Sequence, residues 1–144
     1  MDFSTINWWA VVACVVASMI IGSIWFSPKV FYRPWWKAIG KSEADMMSGD
    51  QSMSGMGMTW VMVIVSSLVQ AIFMNLMVNA MGSMTGGTTL ASGATAGFLL
   101  WLGFVAPSSL TNKLFADRVK AWYYEAGNHL VTFVVMGAIA GAMS

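Results

Sequence analysis

Charge is what this chain has least of: Asp, Glu, Lys and Arg together make up 9% of its 144 residues. A soluble globular domain carries about 25%, so too few charges are present to cover a water-facing surface. Cysteine and histidine occur once each, as Cys14 and His129. One of each excludes a disulfide within the chain, a cysteine-based zinc site and an iron–sulfur centre. Cys14 lies in an apolar run and reads as a small core residue. The seven Lys and Arg form no run and leave a net charge of +1, which argues against a nucleic-acid surface. Catalytic patterns are missing too. There is no nucleophile–base pair at a recognisable spacing, no phosphate-cradling glycine loop before a helix and no H-E-x-x-H. The chain is therefore expected to be no enzyme and to hold neither metal nor cofactor.

What is present is apolar. Hydrophobic residues make up 58% of the chain and the mean hydropathy is +0.69. Four uncharged stretches stand out: 6–26, 59–81, 90–110 and 126–143, the last extending back to Trp122. About 20 apolar residues let a helix cross a hydrocarbon core of about 30 Å. Backbone groups in lipid must bond internally, which makes each stretch a helix. The fold class expected is all-α: a single polytopic domain over 1–144, with four transmembrane helices near 6–26, 59–81, 90–110 and 122–143. The first stretch lacks a basic n-region and an A-x-A cleavage site, so it is expected to be a retained helix and not a signal peptide.

The links between the stretches set an orientation. All seven basic residues fall in the first link, 27–58, and the third, 111–125, while the second, 82–89, is uncharged. The positive-inside rule places the basic links in the cytoplasm. The expected location is the inner (plasma) membrane, multi-pass, with both termini outside the cytoplasm. Each basic link follows an apolar run ending in proline, Pro28 or Pro107, which weakens a continuing helix. The segment after Pro28 mixes rings and cations. It is expected to be an amphipathic helix over 29–40, lying on the membrane with Phe31, Arg33, Trp35, Trp36 and Lys37 as interfacial anchors.

Several of these residues resemble a known family. Trp25-Phe26-Ser27-Pro28 with Phe31 and Trp35, then Gly40-Lys41-Ser42-Glu43-Ala44-Asp45-Met46, are similar to the domain-of-unknown-function 1761 family. So are Trp101-Leu102-Gly103-Phe104 with Asn112 and Leu114-Phe115, and Gly127-Asn128-His129-Leu130-Val131 with Met136-Gly137-Ala138-Ile139. The resemblance spans nearly the whole chain; the Met-rich segment 46–58 departs from it. It implies a small four-helix membrane protein and no particular activity.

Polar residues inside the apolar stretches are the candidate site. Glu125, Asn128, His129 and Thr132 fall at i, i+3, i+4 and i+7 and make one stripe on the fourth helix. Such groups at membrane depth face protein or water. They form either a ligand or proton site, or hydrogen-bonding glue between helices. Asn112, at the same level on the third helix, is the expected partner of the stripe. On the second helix Asn75 and Asn79 form a further pair, read as packing glue, with Gln70 on another face. Small residues at i, i+4 (Ser18/Gly22, Gly93/Gly97, Gly137/Gly141) favour close helix packing. Met46, Met47, Met53, Met56 and Met58 could offer thioethers to Cu(I), but a flexible loop is the simpler reading.

The functional expectation is a non-enzymatic scaffold or accessory subunit of a membrane assembly, with an oligomeric channel or carrier for a small solute or ion as the alternative. Expected partners are membrane lipids and either further copies of the chain, as a homo-oligomer, or a larger membrane complex.

Overall fold

A computed structural model describes residues 2–47 and 53–144, with the side chains of 46, 47 and 53–56 outside the description. The Met-cluster copper reading falls on that segment and so lies outside the described residues. Helix α1 spans Trp8–Trp25, α2 Tyr32–Ala38, α3 Glu43–Met47 and α4 Met53–Thr85. Leu90–Leu100 forms α5, a π-helical turn occupies Trp101–Val105, and α6 (Ala106–Phe115) and α7 (Val119–Met143) complete the chain. Four continuous helical runs, Trp8–Trp25, Gly57–Thr85, Leu90–Phe115 and Val119–Met143, are long and apolar enough to cross a membrane. The protein is an all-α, multi-pass membrane protein. Helix α4 outruns the expected 59–81 at both ends, and the third run continues past the expected 110 to Phe115.

Local chemistry sets the helix ends. The Asn7 side chain accepts from the backbone N–H groups of Trp9 and Ala10 and starts α1. Thr89 and Ser92 form a reciprocal capping box that starts α5. Between α4 and α5, Gly86 and Gly87 take φ of 85° and 142°, which a side chain would resist. At the other end of the bundle Ser42 and Asp45 cap α3, Asp45 accepting from both the N–H and the hydroxyl of Ser42. Those bonds hold the Asp45 carboxyl below the usual carboxylate range.

The tightest seam joins α5 to α7. A Cβ on Gly93 would be driven into the Gly137 carbonyl, and one on Gly97 into the Phe133 carbonyl. Only hydrogen permits the backbones to approach this closely, which is how helices associate where lipid removes the hydrophobic drive. The Gly93/Gly97 and Gly137/Gly141 pairs therefore meet each other within one chain.

The core is lopsided. Its buried members include Val11 and Cys14 on α1, Ala71, Met74 and Val78 on α4, Ala96 on α5, and Met136 and Ala140 on α7. These all lie in the half of the bundle remote from the basic links. There Asn75 and Asn79 take the gluing role: Asn75 Oδ1 accepts from the Asn7 N–H at 3.2 Å, and Asn79 Nδ2 donates to the Thr5 carbonyl at 2.9 Å. Toward the basic end α4 leaves its neighbours, and residues 57–66 are exposed on every side of the helix.

The π turn re-phases the third run. In a regular helix the Pro107 ring would clash with the carbonyl of Gly103, four residues earlier. The widened turn, with the Ala106 N–H bonded to the Trp101 carbonyl, relieves that clash. It also inserts about one residue, rotating α6 relative to α5 by about 100°.

Candidate functional site

The rotation decides which side chain meets the stripe on α7. Asn112, the expected partner, is exposed and pointed away. On a regular helix Lys113 would lie about 200° around from Gly93, and the inserted residue removes about half of that. Lys113 Nζ instead reaches Glu125 Oε1 at 2.9 Å, with the side chains 25% and 19% exposed. Trp35 Nε1 donates to the same oxygen at 3.0 Å.

Around this pair the basic end is tied together by indoles. Trp25 donates to the Tyr124 carbonyl, Trp101 to the Ala126 carbonyl and Trp122 to the Ser109 hydroxyl. The expected interfacial helix exists but is shorter, Tyr32–Ala38, and its rings turn inward. Trp36 is 7% exposed and donates to the Ser42 carbonyl; Phe31 stacks on Trp25 and Tyr124. Phe31, Trp35 and Trp36 thus make bonds and ring contacts on the protein itself. Arg33 stays exposed. Lys37 pairs with Glu43 at 2.8 Å and holds that carboxyl below its usual range. The Arg118 guanidinium closes the arrangement, donating to the Ile39 carbonyl at 3.2 Å across Gly40, whose φ is 84°.

Deeper along α7 the stripe changes partners. Where α4 diverges, a cleft of about 990 Å³ remains between α1, α4, α7 and the start of the α1–α2 link. Asn128, His129 and Thr132 line it from α7, Ser18, Gly22 and Ser23 from α1, and Ser66, Ser67 and Gln70 from α4. Phe26, Tyr32 and Trp60 supply aromatic wall. Asn128 is 8% exposed. Its Nδ2 and the Nδ1 of His129 are buried with no hydrogen-bond partner. Leaving a buried donor unpaired costs about 1–3 kcal/mol, and both groups belong to residues that border the cleft. Glu125 belongs to the indole-and-lysine cluster and does not line the cleft.

The sequence stripe is thus divided between two places, and the serines and Gln70 of the cleft were missed as site residues. The serines' signal was a surplus of hydroxyls in runs otherwise fit for lipid, and Gln70 stood out only as an amide on a face apart from Asn75 and Asn79. Among the described residues no three His, Cys, Asp or Glu side chains gather where they could hold a metal ion. A single imidazole and a ring of hydroxyls and amides can orient and hydrogen-bond a ligand.

A model of the family described as "Protein of unknown function (DUF1761)" matches residues 9–141. Neither a search of curated proteins nor one of solved structures returns a match.

Proposed function

The chain belongs to this family of unknown function, and from its geometry we propose a non-enzymatic binding protein of the inner (plasma) membrane, a carrier for a small amphipathic solute. One observation carries the reading: Asn128 Nδ2 and His129 Nδ1 lie buried and unpartnered in residues that line a cavity of about 990 Å³. Small-molecule sites occupy about 300–1,000 Å³, with apolar walls and a few placed polar groups. The all-basic end faces the cytoplasm, and both termini lie outside.

The test is to fill the cleft. A Cβ on Gly22 meets nothing within 4 Å, so Gly22→Trp puts a ring into the cavity without a backbone clash. Protein purified in nanodiscs is compared with this variant by untargeted mass spectrometry of co-purifying small molecules. A species held by the parent protein and absent from the filled variant is expected; identical profiles would overturn the reading.

A second reading, a self-associating scaffold or accessory subunit, has its own support in residues 57–66 of α4, exposed all round. The faces of this stretch that do not line the cleft are open to a neighbouring copy. Mass measurement in nanodiscs separates the two: a monomer that retains a bound species favours the carrier alone.

A further inference from the structure

The geometry points to an uncharged lipid with a carbonyl-bearing headgroup as the cleft's ligand, a class assignment that rests on the carrier reading above. Charge is the first discriminator. No Asp, Glu, Lys or Arg is among the described residues that line the cleft. The nearest charge along α7, Glu125, is held by Lys113 and Trp35. A phosphate, carboxylate or ammonium placed against Asn128 would find no counter-charge. Inside an apolar stretch an unpaired charge is costly. Asn128 lies about 9 Å along α7 beyond Trp122, where the apolar stretch begins, at 1.5 Å per residue.

Hydrogen-bonding chemistry is the second discriminator. An amide Nδ2 can only donate, and imidazole Nδ1 donates or accepts according to tautomer. The lining Gln70 amide nitrogen likewise only donates, so an acceptor suits both amides, and a carbonyl oxygen supplies it without bringing a proton or a net charge. The walls are the third. Phe26, Tyr32 and Trp60 line it with aromatic side chains and Met19 and Met62 with flexible thioether side chains, which adapt to irregular shapes and sit well against rings. Two molecular types share this chemistry: a quinone, with ring carbonyls and an isoprenoid tail, and a diacylglycerol, with ester carbonyls and two acyl tails. Anionic phospholipid is the competing class. Its phosphate would be caught at the rim by Lys29 and Arg33, both exposed and adjacent in sequence to the lining residues Pro28 and Tyr32.

The experiment uses the full chain in nanodiscs of zwitterionic lipid, with three probes added in turn. They are a long-tailed benzoquinone, dioleoylglycerol and dioleoyl phosphatidylglycerol, each read by native mass spectrometry over a concentration series. Parent protein is compared with Asn128→Leu, with Gly22→Phe as a second variant that leaves the polar groups intact. The expected result is one equivalent of quinone or of diacylglycerol, weakened at least tenfold by both substitutions. Which of the two is retained names the source. If phosphatidylglycerol is the probe retained, and Gly22→Phe removes it, the cleft is a binding site but the class assignment fails. If no probe is retained in a saturable way, or Gly22→Phe binds all three as the parent does, the class assignment fails. The untargeted profile of the Gly22→Trp variant then decides whether the carrier reading fails with it.

Discussion

Glu125 holds two partners on one oxygen, and its worth is set by where they come from. Lys113 arrives from α6 and Trp35 from α2, so one carboxylate ties three elements. The pair is about three-quarters or more shielded, where losing one charge strands the other. Glu125→Gln should keep the indole bond yet lower stability by about 1–3 kcal/mol, because Lys113 is left without its counter-ion. Lys113→Met in the same chain should recover much of that loss, measured as coupling in a double-mutant cycle by denaturant titration. Additive losses would show that the pair contributes nothing specific. The i, i+3, i+4, i+7 spacing made the inward face of Asn128, His129 and Thr132 legible in advance. Asn112 was misassigned because a straight helix was assumed, and composition does not announce an inserted residue. The cleft was illegible for a different reason. Ser18, Ser66 and Asn128 belong to three helices, and only their divergence makes one site of them.

At the scale of elements, length and apolar composition located all four spans, because lipid leaves the backbone one solution. Their ends were less legible where they depend on caps: α4 runs on to Thr85, and only the glycines at 86 and 87 stop it. The π turn is the element with the clearest testable consequence. Removing Gly103 while replacing Pro107 by Ala takes out both the extra residue and the ring that requires it. Both flanks should then keep their register on α7, with the Lys113–Glu125 pair intact. Removing Ala96 instead has no bulge to absorb it and should rotate the basic-end half of the run by about 100°, breaking that pair. Thermal unfolding of the two deletions should differ by several degrees in favour of the first. Equal losses would mean that the turn is not a register device. Gly93/Gly97 and Gly137/Gly141 do mark close packing, whereas Ser18/Gly22 borders the cleft and a Cβ on Gly22 meets nothing within 4 Å; a sequence cannot say whether such faces meet within a chain, between copies or not at all. Here backbone carbonyls of α5 and α7 fill the space themselves.

On the scale of the whole molecule, every Lys and Arg stands at one end of the bundle. The orientation proposed above predicts that, with Cys14 replaced by Ala, Ser144→Cys reacts with an impermeant maleimide in intact cells. Lys120→Cys should react only after permeabilisation, and the reverse pattern would invert the topology. The uneven core has a mechanical consequence. At Gly93, Gly97, Gly137 and Gly141 helices α5 and α7 touch backbone to backbone, with no side chain at those points to change rotamer. Helix α4 is held in the core over residues 71–78 and exposed from 57 to 66, so a tilt of its basic-end half would pivot near Ala71. Fourteen residues at 1.5 Å each make an arm of about 21 Å, so a tilt of about 10° carries its tip about 4 Å. Because that arm lines the cleft, such a tilt would change the cleft's volume while leaving the glycine seam of α5 and α7 as it is.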